Sequence, residues 1–375
     1  MQISRRNRRA VVGGLLLMSA TVALLVASVP QQRHLLARSK RITDAPDQSS
    51  PARFGPSRGA HFVWLSDVEA VGLSFEGYED HAFLLNASTG VRTPIEALND
   101  TFKTITPSGE QHLSPDGKWL LWTGVRNTQH LPAAYGKRYV LPAPGRQFYQ
   151  GFRVVATALD GSRHVERQQG SDLAWLPNSQ GWVRYLWGQS GVSIRSSVQG
   201  QPLASSEKTE KTVPTLPLTQ GMVRVLGMRP NNHLLVCCMP PPAVRGHYAV
   251  QLYDIALGSD PPSVNTCTLT LPAAWSAMDL ALSPSGDRLA WKTIGNRRPF
   301  PDFVLRLLPF IDPSPRPVIG LWVSRVDGSD LHEIGDEDAP VIDGWDQHLY
   351  DLGWTPNGKR VSFIFHGSLW TAPAD

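Results

Sequence analysis

The sequence predicts an all-β chain that folds as a six-bladed β-propeller behind a short N-terminal segment. Composition gives the first indication, because 12 Trp, 32 Gly and 31 Pro among 375 residues favour short strands and tight turns over long helices. A turn of the Ser-Pro-Asp-Gly type gives the second, because it returns in altered form along the chain. The third is that apolar and polar residues alternate on either side of these turns, which is typical of half-buried strands.

The stretch HLSPDGKWLLW at residues 112–122 shows the repeated unit. Pro115 fixes φ at the first corner of the turn, Asp116 caps the backbone, and Gly117 accepts a positive φ without steric cost. A third strand follows each pair and ends in a second turn, as in ALDGS and RVDGS. The altered copies are AWLPNSQGW at 174–182, GMRPNNHLL at 227–235, ALSPSGDRLAW at 281–291 and GWTPNGKRVSF at 353–363.

The turn prolines stand at positions 115, 177, 230, 284 and 356, which gives intervals of 62, 53, 54 and 72 residues. The two long intervals contain Pro-rich inserts at 125–150 and 294–319, and without these the intervals approach a common length. A period of this order with a strand pair at each turn indicates propeller blades. We expect six blades, near 61–100, 110–170, 172–212, 221–271, 278–336 and 348–375.

The last repeat is one strand short, because it stops at SLWTAPAD. An open ring would leave unpaired strand edges, so closure needs a strand from the start of the domain. We expect that strand within 54–64. The tryptophans that recur around the turns, such as Trp122, Trp175 and Trp354, are expected to pack between blades rather than to form a binding platform.

The segments LSPDGKWLLW, LSPSGDRLAW and LWVSRVDGSDLHEI resemble the repeat of the TolB-like propellers, a WD-like family found in bacterial envelope proteins. The resemblance covers residues 61–375 and implies a six-bladed propeller and an extracytoplasmic compartment. It does not extend to the separate N-terminal α/β domain of TolB, since only an apolar stretch and a linker precede the repeats. The family is functionally broad, so the resemblance implies no particular activity.

Charge divides the N-terminal residues from the rest. Residues 1–41 hold eight Lys or Arg and no Asp or Glu, and the remainder carries a net charge of −4, which argues against nucleic-acid binding on bulk charge. After the basic tail at 1–9, residues 10–29 contain no charge, and such a length matches the roughly 30 Å hydrocarbon core of a bilayer. We expect an uncleaved transmembrane anchor in the inner membrane. The alternatives are a cleaved signal peptide, which would leave a secreted or periplasmic domain, and a buried core helix.

Orientation and domain limits follow from the same segment. A cytoplasmic N-terminus is expected, because otherwise the nine-residue tail would carry four arginines across the membrane. This places the propeller, residues 61–375, on the extracytoplasmic side. Residues 30–60 are expected to form a linker, since ITDAPDQSSPARFGPSRGA at 42–60 has no periodic apolar content.

The sequence contains no clear catalytic motif. GQSGV at 188–192 lacks the G-x-S-x-G spacing, no phosphate-binding loop is found, and the 11 His are scattered singly. We therefore expect no catalytic residue, no metal site and no cofactor. Cys237 and Cys238 should point to opposite faces of one strand, and Cys267 should lie too far away for a disulfide.

The long loops are the strongest candidate for a binding surface. Counting strand reversals places the inserts at 125–150, 239–248 and 294–319 on one face, opposite the repeated turns. They hold nine basic and two acidic residues and several aromatic ones, a composition suited to an anionic partner or a sugar polymer. The alternative is that they only cover the channel. The candidate binding residues are Arg126, Tyr135, Lys137, Arg138, Tyr139, Arg146, Arg245, Arg297, Arg298, Phe303, Arg306 and Phe310.

Together these observations predict a membrane-anchored, extracytoplasmic propeller that binds or scaffolds an envelope protein or an anionic polymer, and not a nucleic acid. The alternative is a propeller enzyme, such as a hydrolase, lyase or cyclotransferase, that uses the same loop face as its active-site cleft. Three or more titratable groups that converge in the channel with perturbed pKa values would favour the enzyme.

Overall fold

The fold is known from a computed structural model. It describes residues 34–43, 61–76, 79–103, 105–126, 152–162, 164–168, 171–177, 179, 181–185, 192–196, 210–212, 222–239, 249–257, 263–272, 275–297, 314, 316–338, 349–365 and 368–375.

The described strands form six four-stranded antiparallel sheets, numbered here in chain order. Sheets 1 to 5 each use four consecutive strands, whereas sheet 6 combines the last three strands with the N-terminal strand β1 (Lys40–Arg41).

Sheet 1 contains β2 (His61–Ser66), β3 (Glu69–Glu76), β4 (Glu79–Asn86) and β5 (Arg92–Pro94). Sheet 2 contains β6 (Ile105–Leu113), β7 (Trp119–Arg126), β8 (Phe152–Ala158) and β9 (His164–Gln168). Sheet 3 contains β10 (Ser171–Trp175), β11 (Gly181–Tyr185), β12 (Val192–Ser196) and β13 (Glu210–Thr212). Sheet 4 contains β14 (Met222–Arg229), β15 (His233–Met239), β16 (Ala249–Ala256) and β17 (Ser263–Thr270). Sheet 5 contains β18 (Trp275–Leu282), β19 (Arg288–Arg297), β20 (Arg316–Arg325) and β21 (His332–Asp338). Sheet 6 contains β22 (Leu349–Trp354), β23 (Arg360–Phe365) and β24 (Ser368–Pro373) besides β1.

Each sheet packs face to face on the next, and sheet 6 packs on sheet 1. Six clusters of buried apolar residues fill the six seams between neighbouring sheets. The first strands of neighbouring sheets contact one another, so they are the innermost strands of the ring. The predicted all-β propeller class is therefore confirmed.

The repeated turns are organised by a buried hydroxyl. Ser114 accepts a hydrogen bond from the backbone N–H of Trp119 at 2.9 Å, and Ser283 accepts the equivalent bond from Arg288 at 3.0 Å. Thr355 occupies the same place in the last repeat and is equally buried. The residue before the turn proline thus satisfies the backbone of the following strand, which explains why Ser and Thr recur there.

The tryptophans that flank the turns lie at the seams, as predicted. Trp175 is buried between sheets 3 and 2, where its indole N–H donates to the backbone oxygen of His112 at 2.9 Å. Trp122 is fully buried between sheets 2 and 1 and meets Phe102 edge to face, with ring centroids 5.2 Å apart. These rings are packing elements of the core.

The strand that closes the ring lies earlier in the chain than expected. Lys40 stands opposite Thr371 and Arg41 stands opposite Trp370, so β1 forms the outermost strand of sheet 6. The expectation of a closing strand within 54–64 is wrong, because the strand that begins at residue 61 is the innermost strand of sheet 1. A strand of two basic residues has no apolar alternation, so no local pattern marks it.

Short helical segments complete the described fold: α1 (Leu35–Arg38), α2 (Glu96–Phe102) and a 3₁₀ turn at Pro230–Asn232. Helix α2 buries Leu98 and Phe102 between sheets 1 and 2. Among the helices of the described residues, none has the length and apolar content needed to cross a membrane. The predicted anchor at 10–29 lies outside the described residues, as does most of the predicted linker at 30–60.

The cysteines follow the prediction. Cys237 packs in the seam between sheets 4 and 5, whereas Cys238 packs in the seam between sheets 3 and 4, so the two side chains point to opposite faces of β15. Cys237 stands opposite Leu252, which in turn stands opposite Cys267 two strands away. None of the three is part of a disulfide.

Candidate functional site

The long connections of sheets 2, 4 and 5 leave the same side of the ring. They span 127–151, 240–248 and 298–315, and each joins the second strand of its sheet to the third. Neighbouring strands within these sheets are antiparallel, so the second strand ends on the side where the first begins. We call this side the insert face, and we call the opposite side, which carries the repeated turns, the turn face.

Two of the twelve candidate binding residues lie in described strands. Arg126 is the last residue of β7, opposite Ile105, and Arg297 is the last residue of β19, opposite Arg316. Both positions are therefore at the insert face, and the binding role of all twelve stays a prediction. The other ten lie outside the described residues: Tyr135, Lys137, Arg138, Tyr139, Arg146, Arg245, Arg298, Phe303, Arg306 and Phe310.

Every innermost strand has a β-bulge in its pairing with the second strand of its sheet. In sheet 5 the irregularity falls between Ala277 and Asp279, and in sheet 6 it falls between Tyr350 and Gly353. A bulge places extra residues against the partner strand and changes the direction of nearby side chains. In both sheets an aspartate at the bulge contacts a neighbouring sheet.

The first of these contacts joins sheet 5 to sheet 4. Asp279 on β18 accepts a hydrogen bond from the guanidinium of Arg224 on β14, and each side chain is about one-quarter exposed. Asp279 also accepts the backbone N–H of Leu280 at 2.8 Å. The ion pair therefore connects two innermost strands at a partly buried position, where solvent screens it less than at the surface.

The second contact joins sheet 6 to sheet 1. Asp351 Oδ1 lies 3.1 Å from His61 Nδ1, and Asp351 Oδ2 accepts the backbone N–H of Phe62 at 2.6 Å. Asp351 reaches this position with φ of 54°, a left-handed conformation that Asp tolerates better than most residues. Burial lowers the pKa of His61, but the charge of Asp351 and its hydrogen bond outweigh burial, so the pKa is raised above its ordinary value.

The two aspartates occupy the same place in the repeat, five residues before the turn proline. The pattern Asp-Leu-x-x-x-Pro stands at 172–177, 279–284 and 351–356. In sheet 3, the irregularity between Ser171 and Leu173 places the backbone of Asp172 at the corresponding bulge. These aspartates lie upstream of the repeated turn segments, and the shared Asp-Leu-x-x-x-Pro spacing is the signal in the sequence that could have identified them.

Sheet 2 presents a different polar group on its innermost strand. The amide nitrogen and oxygen of Gln111, which follows the bulge in β6, are both buried and have no hydrogen-bond partner among the described residues. Leaving a buried polar atom unsatisfied costs about 1–3 kcal/mol. The innermost strands thus carry two acid–base pairs, Arg224–Asp279 and His61–Asp351, each across a seam. They also carry the Gln111 amide, which can both donate and accept hydrogen bonds.

The carboxylates of the turn face act as local caps, as the sequence predicted. Asp116 accepts the hydroxyl of Ser114 at 2.5 Å and the backbone N–H of Lys118 at 3.2 Å. Burial would raise the pKa of Asp116, but the hydrogen bonds from Ser114 and Lys118 hold it below its usual value. A hydrogen bond from Ser285 similarly lowers the pKa of Asp287. The hydrogen bonds that lower these pKa values therefore favour the ionised carboxylates, which stabilise the turns.

A cleft of about 320 Å³ opens on the turn face between sheets 4 and 5, with Leu235 and Leu252 among its lining residues. Arg229 crosses the seam there, since its Nε donates to the backbone oxygen of Gly286 at 2.8 Å while its Nη1 binds Asp254. The rim adds Asp287, Arg325 and Asp327. Charges of both signs surround the opening. The side chain of Arg229 is already engaged in hydrogen bonds across the seam between sheets 4 and 5.

No group of three or more His, Cys, Asp or Glu side chains in the described part of the chain is arranged to hold a metal ion.

No protein-family model matches the chain, and no curated protein matches it. Solved structures with a similar fold include an oligogalacturonate lyase in complex with manganese, at 13% identity and a TM-score of 0.49 over 84% of this chain and 77% of that chain. A putative TolB from Agrobacterium tumefaciens is 12% identical, with a TM-score of 0.47 over 85% of this chain and 91% of that chain. The Swd1 β-propeller domain from Myceliophteria thermophila is 11% identical, with a TM-score of 0.47 over 86% of this chain and 98% of that domain. Likeness at this level concerns the propeller fold alone, so the resemblance to TolB-like repeats is supported only coarsely.

Proposed function

We propose that the chain is a membrane-anchored, extracytoplasmic six-bladed propeller that binds an envelope protein or an anionic envelope polymer through its insert face. In this proposal the six sheets are the blades, residues 10–29 are the anchor in the inner membrane, and the three inserts form the binding surface. The protein is a binding or scaffolding module, not an enzyme, and nucleic acid is not its partner.

The observation that carries the proposal is that the three inserts that join the second strand of a sheet to the third leave one face of the ring, whereas the connection at 197–209 joins the third strand of sheet 3 to the fourth. Counted with their flanking strand ends, as residues 125–150, 239–248 and 294–319, the three inserts carry a net charge of +7, while the rest of residues 42–375 carries −11. A basic surface on an acidic body attracts anionic partners over a distance and orients them. Binding residues are commonly found on loops that a rigid scaffold positions, and a propeller provides such a scaffold.

The innermost strands support a scaffolding role. The Arg224–Asp279 and His61–Asp351 pairs each combine one acid with one base across a seam. Such pairs fix neighbouring sheets relative to one another and so fix the strand ends from which the inserts arise. A catalytic site would need titratable groups beyond those that join the seams.

A propeller enzyme that uses the insert face as its cleft is the second candidate. The buried amide of Gln111 on an innermost strand favours it, because an amide without a hydrogen-bond partner among the described residues can both donate to and accept from a ligand. A hydrolase, lyase or cyclotransferase would then bind substrate between the inserts and this amide. Release of a low-molecular-weight product from envelope polymers by the purified protein would establish the enzyme and contradict the binding module.

The proposed anchor rests on the 20 uncharged residues at 10–29, and the proposed orientation rests on the four arginines before them. Full-length protein is expected to stay with the membrane fraction after a carbonate wash. Recovery of a mature chain that begins near residue 29 would show a cleaved signal and a secreted or periplasmic domain instead.

The binding surface is tested by matched charge reversals in the full-length protein. The variant R138E/R297E/R298E changes the insert face, whereas K118E/R325E/K359E changes exposed turn-face residues by the same total charge. We expect the first variant to lose capture of envelope components, with a reduced association rate, and the second to retain it. Equal losses in the two variants would contradict recognition by one face.

A further inference from the structure

Residues 34–43, which we call the strap, bind the outer edge of the ring where sheets 5 and 6 meet. Strand β1 pairs with β24, and the pairing continues beyond it because the backbone N–H of Ile42 donates to Leu369 at 2.8 Å. The N–H of Leu369 in turn donates to the hydroxyl of Thr43 at 2.9 Å. The strap therefore completes sheet 6 as an edge strand.

An apolar contact fixes the beginning of the strap. Leu35 is fully buried in a cluster that contains Ile319 and Val323 of sheet 5 and Leu349 and Phe363 of sheet 6. Burying a side chain of this size stabilises the folded state by about 1.5–3 kcal/mol. Leu35 thus holds the strap against both sheets.

Hydrogen bonds to sheet 5 fix the same segment further. The backbone N–H of Leu36 donates to Glu337 Oε1 at 2.9 Å, and Arg38 donates from Nη1 to the backbone oxygen of Ile334 at 2.9 Å. His34 forms a parallel β-bridge with Asp336. The chain is consequently attached to sheet 5 from residue 34 onward.

This attachment leaves very little chain between the propeller and the apolar stretch. Only residues 30–33 separate position 29 from His34, and five residue steps span at most about 18 Å when fully extended. A domain of this size has a radius of gyration of about 20 Å, and is therefore about 50 Å across. The chain between position 29 and His34 is therefore shorter than the diameter of the domain.

We infer that the propeller is held with the rim of sheets 5 and 6 toward the lipid bilayer and the rim of sheets 2 and 3 away from it. The inference rests on the proposed anchor at 10–29. A flexible linker over 30–60 would let the domain turn freely, whereas the strap removes that freedom at residue 34. The insert face and the turn face are then both roughly perpendicular to the membrane plane. Partners in the envelope can therefore approach either face.

The inference is tested with two single-cysteine reporters on opposite rims. Asp338 and His164 are both exposed on outermost strands, the first in sheet 5 beside the strap and the second in sheet 2. The variants D338C and H164C are made in a C267S background, since Cys267 is the partly exposed thiol. The full-length proteins are labelled with a fluorophore and reconstituted into phosphatidylcholine vesicles that contain a lipid with a quencher on its headgroup.

We expect the label at position 338 to be quenched several-fold more strongly than the label at position 164. Inserting about twelve Gly and Ser residues after Arg33 adds a root-mean-square reach of about 20 Å and should bring the two quenching levels together. Equal quenching without the insertion, in protein that floats with the vesicles, would overturn the orientation alone. Protein that does not float with the vesicles would overturn the anchor, and the orientation with it.

Discussion

Trp354 donates its indole N–H to the backbone oxygen of Ala281 at 3.0 Å, across the seam between sheets 6 and 5. Trp175 makes the equivalent bond to His112 across the seam between sheets 3 and 2, at 2.9 Å. Both tryptophans stand two residues before a turn proline. One residue of the repeat therefore contributes apolar area and a directed hydrogen bond to the same seam.

Replacing Trp354 by Phe keeps an aromatic ring and removes this donor. We expect W354F to lower the free energy of unfolding by about 1 kcal/mol or more through the lost hydrogen bond, measured by chemical denaturation. W370F is the matched control, because the indole nitrogen of Trp370 is buried without a hydrogen-bond partner among the described residues. Equal losses in the two variants would show that only ring volume matters at these positions.

The seam between sheets 6 and 1 is expected to respond to pH through His61. Its pKa is raised in the folded state, so its contribution is fully present below the unfolded pKa of about 6.5 and is lost as the pH rises through the folded value. H61N should remove this part of the dependence of unfolding free energy on pH, measured from about pH 5.5 to 8.5. D351N, in which Asn still tolerates the positive φ, should do the same. Wild-type and H61N profiles of identical slope would contradict the assignment.

The buried turn hydroxyl is expected to contribute more than an exposed one. Ser283 accepts the N–H of Arg288 and is 3% exposed, so S283A should lower the free energy of unfolding by about 1–2 kcal/mol. Ser329 is exposed in the second turn of the same sheet, where its hydroxyl donates to Asp327 at 2.6 Å. S329A should therefore lower the free energy of unfolding by less than S283A does. Thermal and chemical unfolding of both variants decide this order, and a larger effect of S329A would contradict it.

The strap alters where the domain can be cut. A fragment of residues 34–375 keeps Leu35 and β1 and should fold with the full stability of the domain. A fragment of residues 44–375 should be less stable by at least the 1.5–3 kcal/mol expected for burial of Leu35. Comparison of their unfolding midpoints tests this. Identical midpoints would show that sheet 6 does not need β1.

Salt is expected to weaken binding at the insert face. Exposed charges are screened beyond about 8 Å at physiological ionic strength, so affinity for a polyanion such as polyglutamate should fall as salt rises. Alanine at Phe303 and Phe310 should raise the dissociation rate instead, because it removes apolar contact and not charge. Surface plasmon resonance separates the two rates. If neither salt nor these substitutions change the affinity or the dissociation rate, the inserts do not recognise the polyanion and only cover the channel.

Local chemistry explains which features the sequence could predict. The residues of a turn such as Ser114-Pro115-Asp116-Gly117 themselves determine its backbone conformation. The predicted positions of the turns and of the tryptophans beside them are therefore correct. The partner of Asp279 could not be predicted, because Arg224 lies 55 residues away and the two meet only when sheets 4 and 5 pack. Strand β1 escaped prediction for a related reason, since the packing of Leu35 between two distant sheets determines its position.

The pairing of the strap with the last strand also sets the order in which the molecule can be built. Thr43 and Leu369 are 326 residues apart, so the bond between them cannot form until residue 369 has been synthesised. Closing a loop of that length costs about 5 kcal/mol of chain entropy beyond a constant term. Sheets 1 to 5 can assemble on the ribosome from consecutive strands, whereas the strap stays undocked until β24 has been synthesised. Until the strap docks, β24 has an open edge, which makes the chain with an undocked strap the species most exposed to misassembly with a neighbour.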